Sequence, residues 1–343
     1  MLRSPTGQTE PASLTCWVLT DGKAGDEQQC LGVAAGLGLV PEIRRVRPRA
    51  PFTWAMPYGP IDPRERPAAP RSPLALPFPD LLIASGRRAV PYLRSVRRAS
   101  GGRTFTVYLK DPRTGPGTAD FIWVSEHDRL RGPSVLSTLT PPHGVLPRKL
   151  AAARSDPDPR LAHLPHPRVA VLVGGSSRHH RFTDADVARL MGQLRTLASA
   201  GAGLMITASR RTPPTLKAAL SALAVQHHGF FWDGSGSNPF VAMLALADSL
   251  VVTADSTNMV GEAAATGRPI LLFEPEGGHP KFDAFLDGLR AKGVVHPFTG
   301  SLVGTPYPPL NATHEIAAAI ARGLARHRRA LGLPDADLSP ETP

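Results

Sequence analysis

The residues with most chemistry to offer sit in short polar stretches, each directly after an apolar run. Asp21-Gly22-Lys23-Ala24-Gly25 and Ser125-Glu126-His127-Asp128 are two such stretches in the first half. In the second half Gly174-Gly175-Ser176-Ser177-Arg178, Ser209-Arg210-Arg211 and Asp255-Ser256-Thr257-Asn258 repeat the arrangement. A glycine pair lets backbone come close to a phosphate, and a polar turn that opens a helix offers free N–H groups to a diphosphate. Arg210-Arg211 reads either as a clamp on that charge or as an exposed pair. Asp255 and Ser256 read either as part of that anion site or as plain N-caps. Glu262, a little further on, is a carboxylate suited to accepting hydrogen bonds from ribose hydroxyls, or else a solvated helix residue. Transfer to an acceptor hydroxyl also needs a general base, for which the first half offers Asp21, Glu126, His127 and Asp128. His127 has the ordinary titration range for that work, although a structural histidine is as good a reading. Asp21 and His127 rank first, with Glu126 beside them.

No metal site is assigned. The adjacent pair His179-His180 has no chelating spacing, and two cysteines, Cys16 and Cys30, form neither a disulfide framework nor a ligand pair. Helix N-termini and cationic side chains are expected to carry the charge of a leaving diphosphate instead. The nucleotide-sugar would be a substrate, and no cofactor is expected.

These stretches must be positioned by the apolar runs that precede them. Runs of strand length occupy 14–19, 80–84, 104–109 and 121–124, then 168–173, 204–207, 249–253 and 269–273. Their continuous hydrophobicity fits strands buried on both faces of a parallel sheet. The stretches 183–200, 214–224, 257–266 and 281–292 read as helices. Such alternation predicts an α/β protein of two doubly wound domains, placed at 14–165 and 166–330, with the boundary in a helix-plus-loop over 147–167. In such sheets ligands bind beyond the carboxyl ends of the strands, where the polar stretches fall, which predicts a cleft between the two domains. The Pro-rich insertion 48–79 is expected to be an irregular surface loop, and the tail 334–343 to be disordered.

The chain has 343 residues, 42% hydrophobic and 20% charged, and a net charge of +11. No run approaches the roughly 18 apolar residues of a membrane span, and residues 1–13 lack the apolar core of a secretory signal. A cytoplasmic location follows as the expectation. Between Pro41 and Arg103 stand 13 arginines and no lysine against four acids. This basic face, with Phe52, Trp54, Met56 and Tyr58 in the insertion, suits the inner surface of an anionic membrane, or is simply solvated with the aromatics covering their own core. No helix-turn-helix, zinc finger or RNP-type aromatic motif supports nucleic acid as a partner.

The stretch from Val252 to Ala263, continuing through Thr266-Gly267-Arg268-Pro269, resembles the nucleotide-sugar segment of GT-B glycosyltransferases. A broader resemblance is to the Elm-type mitochondrial fission family. It is carried by Asp21-Gly22-Lys23-Ala24-Gly25, Ala84-Ser85-Gly86-Arg87-Arg88, Asp111-Pro112-Arg113 and Glu126-His127-Asp128-Arg129-Leu130. It continues through Gly174-Gly175-Ser176-Ser177-Arg178, Ser209-Arg210-Arg211-Thr212-Pro213 and Trp232-Asp233-Gly234. The resemblance implies a GT-B architecture, two Rossmann-like domains facing across a cleft that holds a nucleoside-diphosphate sugar. It implies Glu262 as the ribose contact, and Asp255, Ser256 and Thr257 with Gly174–Ser177 as phosphate contacts. Asp26 and Glu27 depart from the neutral residue expected after Gly25, and Thr257-Asn258 from the usual Val/Ile-Ser. The leading function is metal-independent glycosyl transfer. The alternatives are a GT-B-fold nucleotide-sugar epimerase or hydrolase, and a non-catalytic protein of fission type.

Overall fold

The computed structural model of the chain describes residues 14–334 and 338. The expected disordered tail therefore lies almost wholly outside the described residues.

The first sheet is built from β1 (Cys16–Thr20), β2 (Glu42–Arg45), β3 (Leu81–Ser85), β4 (Phe105–Leu109), β5 (Phe121–Ser125) and β6 (Val135–Thr138). Its helices are α1 (Ala24–Gly36), the single turn α2 (Phe52–Ala55) and α3 (Ala89–Ala99). The strands lie in the order β2-β1-β3-β4-β5-β6, with β2 through β5 paired in parallel. β1, β3 and β4 are buried at every residue, as their unbroken apolar sequence requires. Trp17, Leu19, Leu82, Ala84, Tyr108 and Ile122 pack on one face against Tyr92, Leu93 and Val96 of α3.

After α4 (Pro147–Ser155) and α5 (Pro159–Ala162), the second sheet begins. It uses β7 (Arg168–Val173), β9 (Gly203–Ala208), β10 (Phe230–Trp232), β11 (Ser249–Thr253), β12 (Ile270–Phe273) and β14 (Val295–Pro297). Two short strands, β8 (His180–Arg181) and β13 (Glu276–Gly277), form an antiparallel ribbon beside it. The connecting helices are α6 (Asp184–Ser199), α7 (Pro214–Gln226), α8 (Phe240–Leu246), α9 (Thr257–Ala264) and α10 (Pro280–Ala291), and α11 (Ala312–Ala330) is the last helix among the described residues. The order β10-β9-β7-β11-β12-β14 is parallel throughout. Alternate side chains serve alternate faces. Ala170, Leu172, Leu250 and Val252 enter one core, while Val169, Val171, Val173 and Val251 enter the other.

By packing, the chain divides into two units, one of residues 1–124, 129–137 and 313–343, the other of 125–128 and 138–312. This differs from the division expected at 165/166 in three places. The stretch from Thr138 onward already belongs to the second unit, because Leu139 and Pro141 pack on Gly288 and Gly261. The short segment 125–128 goes with it. The last helix returns to the first unit, burying Ile316, Ala317, Ile320 and Leu324, and placing Gly323 on the ring of Phe105 and Thr313 on Gly36. Arg328 holds Asp80 there at 3.0 Å.

The insertion 48–79 is not irregular throughout. It carries α2 and a 3₁₀ turn at Pro63–Glu65, and it inserts Met56 and Leu74 into the first core. Asp62 anchors it, bonded by Arg49 at 2.8 Å through both Nε and Nη2. Trp54 and Tyr58 remain exposed, at 78% and 69%, so they do not cover that core. Among the described residues no helix is long and apolar enough to cross a membrane.

Candidate functional site

Counted within its own unit, the second sheet runs 3-2-1-4-5-6, so the strand order reverses between β7 and β11. The crevice at such a reversal is the ligand site of doubly wound sheets. Gly174 and Gly175 follow β7 there, and Ala254-Asp255 follow β11.

Asp255 occupies the centre and its side chain is fully buried. Its carboxylate accepts from the Gly175 N–H at 3.0 Å, the Thr253 hydroxyl at 2.7 Å and Arg211 Nη2 at 2.8 Å. Arg211 Nη1 donates to the carbonyls of Gly175 at 2.8 Å and Ser176 at 3.2 Å. Gly174 donates to the Thr253 hydroxyl at 2.8 Å, and Thr212 donates to the Gly174 carbonyl. A Cβ on Gly174 would fall 2.1 Å from Asp255 Oδ1, and one on Gly175 2.1 Å from the Arg211 carbonyl. The two glycines therefore make room for neighbouring protein atoms. Asp255, read from sequence as an anion contact or an N-cap, and Arg211, read as a phosphate clamp or an exposed residue, tie three strand ends together.

What remains for a ligand lies around this knot. Ser177 Oγ accepts from the His179 and His180 N–H groups and Ser176 Oγ from Phe182, all at 3.2 Å, which leaves each hydroxyl proton to be donated. Ser209 Oγ caps the Arg211 N–H at 3.1 Å. Arg210 is exposed and has no charged partner among the described residues. α9 begins beside Asp255, with Ser256 as its N-cap accepting from Met259 at 3.4 Å and Thr257 as its first residue. Glu262 lies near the end of α9. No side-chain partner holds its carboxyl among the described residues, and burial pushes its pKa up to about 7. A half-buried acid with no cation beside it is costly in a fold and is a common mark of a binding site.

The four base candidates do not share one unit. Asp21 follows β1 in the first unit, at the β1–β3 reversal of that sheet. Its side chain is 2% exposed; Oδ1 has no hydrogen bond among the described residues, and Lys23 Nζ stands 3.5 Å from Oδ2. Asp26 beside it pairs with Lys110, and Gly86, at φ 95°, leaves space facing both carboxylates. Glu126 and His127 belong to the second unit. His127 has a buried Nδ1 without a partner among the described residues, and burial lowers its pKa. Its charged neighbours include Asp128, Lys281 and His279, with Asp128 and Lys281 ion-paired.

Sequence reading named Thr253 and Thr212 only within the resembling stretches and gave no role to their hydroxyls, which complete the knot. It also passed over three Asp-x-Asp spacings, 156/158, 184/186 and 335/337, the last of which lies outside the described residues. Asp158 caps α5 and holds Arg160, while Asp186 completes the capping box of Thr183 and holds Arg189, so both aspartates already have partners. Among the described residues no group of three or more His, Cys, Asp or Glu side chains is placed to hold a metal.

A family model described as Mitochondrial fission ELM1 matches residues 24–324. The chain belongs to the mitochondrial fission ELM1 family. Mitochondrial fission protein ELM1 of Arabidopsis thaliana is 32% identical over 279 residues, which cover 72% of this chain and 64% of the plant protein. An uncharacterized protein of Rickettsia prowazekii (strain Madrid E) is 29% identical over 169 residues, 46% of this chain and 48% of that one. The match thus spans less than two thirds of either relative. Among solved structures, one from Listeria monocytogenes named for a UDP-N-acetylglucosamine 2-epimerase aligns with a TM-score of 0.51 at 12% identity, covering 96% of this chain and all of that one (100%). At that identity the likeness concerns the fold, which is the two-Rossmann-unit GT-B fold that this ELM1 family member was expected to have.

Proposed function

We propose that the second unit binds a nucleoside-diphosphate sugar at the β7–β11 reversal, and that the chain uses it for glycosyl transfer without a divalent metal. The observation that carries this reading is Glu262, a half-buried carboxyl with no side-chain partner among the described residues, on the helix whose N-terminus opens at that reversal. Ribose hydroxyls are the donors that such a carboxylate lacks. The N–H groups of the first turn of α9, the hydroxyls of Ser176 and Ser177, and the Arg210 guanidinium would share the diphosphate charge. The knot of Asp255 and Arg211 fixes these groups in advance, which is the condition for stabilising a leaving group electrostatically.

In the transfer itself, an acceptor oxygen would bond to the anomeric carbon as the bond from that carbon to the diphosphate oxygen breaks. The electron pair leaves on the diphosphate, and a base takes the acceptor proton. His127, kept neutral by burial, and Asp21 are the two candidates for that base.

A second reading has its own support. The family is named for mitochondrial fission, which favours a unit that binds a nucleotide-sugar without turning it over, and the Listeria relative is named for an epimerase. A thermal-shift screen of the full chain against nucleoside diphosphates and nucleotide-sugars tests the shared premise. Stabilisation by ribonucleotide diphosphates and none by inorganic pyrophosphate is the expected pattern. Product analysis with the best ligand then separates transfer from binding alone.

A further inference from the structure

A groove of about 640 Å³ lies in the first unit between α3 and the insertion, lined among others by Tyr58, Ile61, Arg66, Arg94, Ser95 and Arg98. No carboxylate lines it. The acids closest in sequence face elsewhere: Asp62 is held by Arg49, while Glu65 accepts from the Arg47 N–H at 2.8 Å and from the Tyr92 hydroxyl. Arg66, Arg94 and Arg98 are exposed, and none has an ion-pair or hydrogen-bond partner for its guanidinium among the described residues. Arg94 and Arg98 stand one turn apart on α3, where like charges repel unless something anionic lies between them. Prolines 60, 67 and 91 stiffen the backbone of the walls that carry the three cations.

We propose that this groove is a binding site for a phosphomonoester. A dianionic phosphate offers the oxygens that two or three guanidinium forks bind in pairs, and Ser95 adds a hydroxyl donor. The volume exceeds that of phosphate alone, and Tyr58, Ile61 and the prolines provide apolar wall for the esterified group. The ester can arrive as a lipid headgroup or as a soluble metabolite. The exposed Trp54, four positions before Tyr58, and Leu76, 67% exposed in the same insertion, would meet the bilayer in the first case. The site is independent of the nucleotide reading, since every residue named belongs to the first unit.

The test uses the full chain with two probes that share the phosphomonoester, glycerol 3-phosphate by calorimetry and vesicles of phosphatidylcholine with phosphatidic acid by flotation. Arg94→Ala/Arg98→Ala should weaken binding at least about tenfold, equivalent to roughly 1.4 kcal/mol. Arg195→Ala/Arg326→Ala removes the same charge at exposed sites outside the groove and should leave binding unchanged. Arg94→Lys/Arg98→Lys keeps the charge without the fork and should fall between them. Binding of the soluble ester assigns a metabolite, and binding of the vesicles alone assigns a headgroup; either result supports the site. Failure to bind either probe, or equal losses in the two alanine pairs, overturns it.

Discussion

The carboxylate of Asp255 and the guanidinium of Arg211 meet at 2.8 Å in the second unit, and between them they hold the loops after β7, β9 and β11. Asp255 is fully buried while the Arg211 side chain is 44% exposed, so the pair is a desolvated anion answered by a cation that still reaches solvent. A cation already bonded to Asp255 and two carbonyls has little left for a ligand. The neighbouring Arg210 is exposed and has no charged partner among the described residues.

Asp255→Ala should therefore destabilise the fold. It strands the Gly175 N–H and the Thr253 hydroxyl in a buried place and leaves Arg211 without its anion. The partial exposure of Arg211 discounts the full cost of a broken buried pair to roughly 2–3 kcal/mol. Urea denaturation measures it, and a loss under about 0.5 kcal/mol would mean that the knot is not holding these loops.

Gly174→Ala and Gly175→Ala should both destabilise, because each new methyl lands 2.1 Å from an existing oxygen. Gly192→Ala is the informative control. It lies within α6 with nothing within 4 Å of its Cβ position, so alanine there should stabilise by about 0.5–1 kcal/mol. Denaturation midpoints of the three variants should move in opposite directions. If Gly174→Ala were neutral, the close approach to Asp255 would not constrain that position.

Glu262 makes stability depend on pH. Its folded carboxyl keeps a proton up to about pH 7, whereas its ordinary value is 4.5. Between these values the folded state binds more protons than the unfolded chain, so this group's contribution to stability falls as pH rises, and the loss is complete above pH 7. Glu262→Gln should match the parent near pH 4 and exceed it by roughly 1–3 kcal/mol at pH 8. Paired unfolding curves at the two pH values check this; a constant difference would show that the carboxyl does not titrate in that window.

Much of the fold could be read from the chain because apolar runs such as those of β7 and β11 are short, rich in β-branched residues and bounded by glycine or polar turns, which favours strands buried on both faces over buried helix. Edge strands escaped for the opposite reason. β2, Glu-Ile-Arg-Arg, is mostly exposed and has no apolar run to show. α11 displays an apolar stripe at 316, 317, 320 and 324, but a stripe says that a helix packs and not on which unit. The same limit governs the site. Asp, Arg and Gly recur both where phosphates bind and where loops are tied, so spacing could not separate Arg210 from Arg211. The isolation of the Glu262 carboxyl is likewise a property of what surrounds it in space.

If turnover is found, it should survive chelation. The proposed leaving-group donors are N–H groups, hydroxyls and Arg210, which need no divalent ion. Initial rates with and without EDTA would be compared, and complete loss restored by magnesium would contradict this part of the mechanism.

The most direct test of the nucleotide site is calorimetry of uridine diphosphate and other nucleoside diphosphates against the parent chain and Glu262→Ala. The parent should bind at least one of them. The variant should bind that ligand more weakly by roughly 1–3 kcal/mol, the worth of hydrogen bonds to a charged group, while affinity for inorganic pyrophosphate stays the same. Equal affinity of parent and variant for every nucleoside diphosphate, or no binding by the parent, would contradict the assignment of this site.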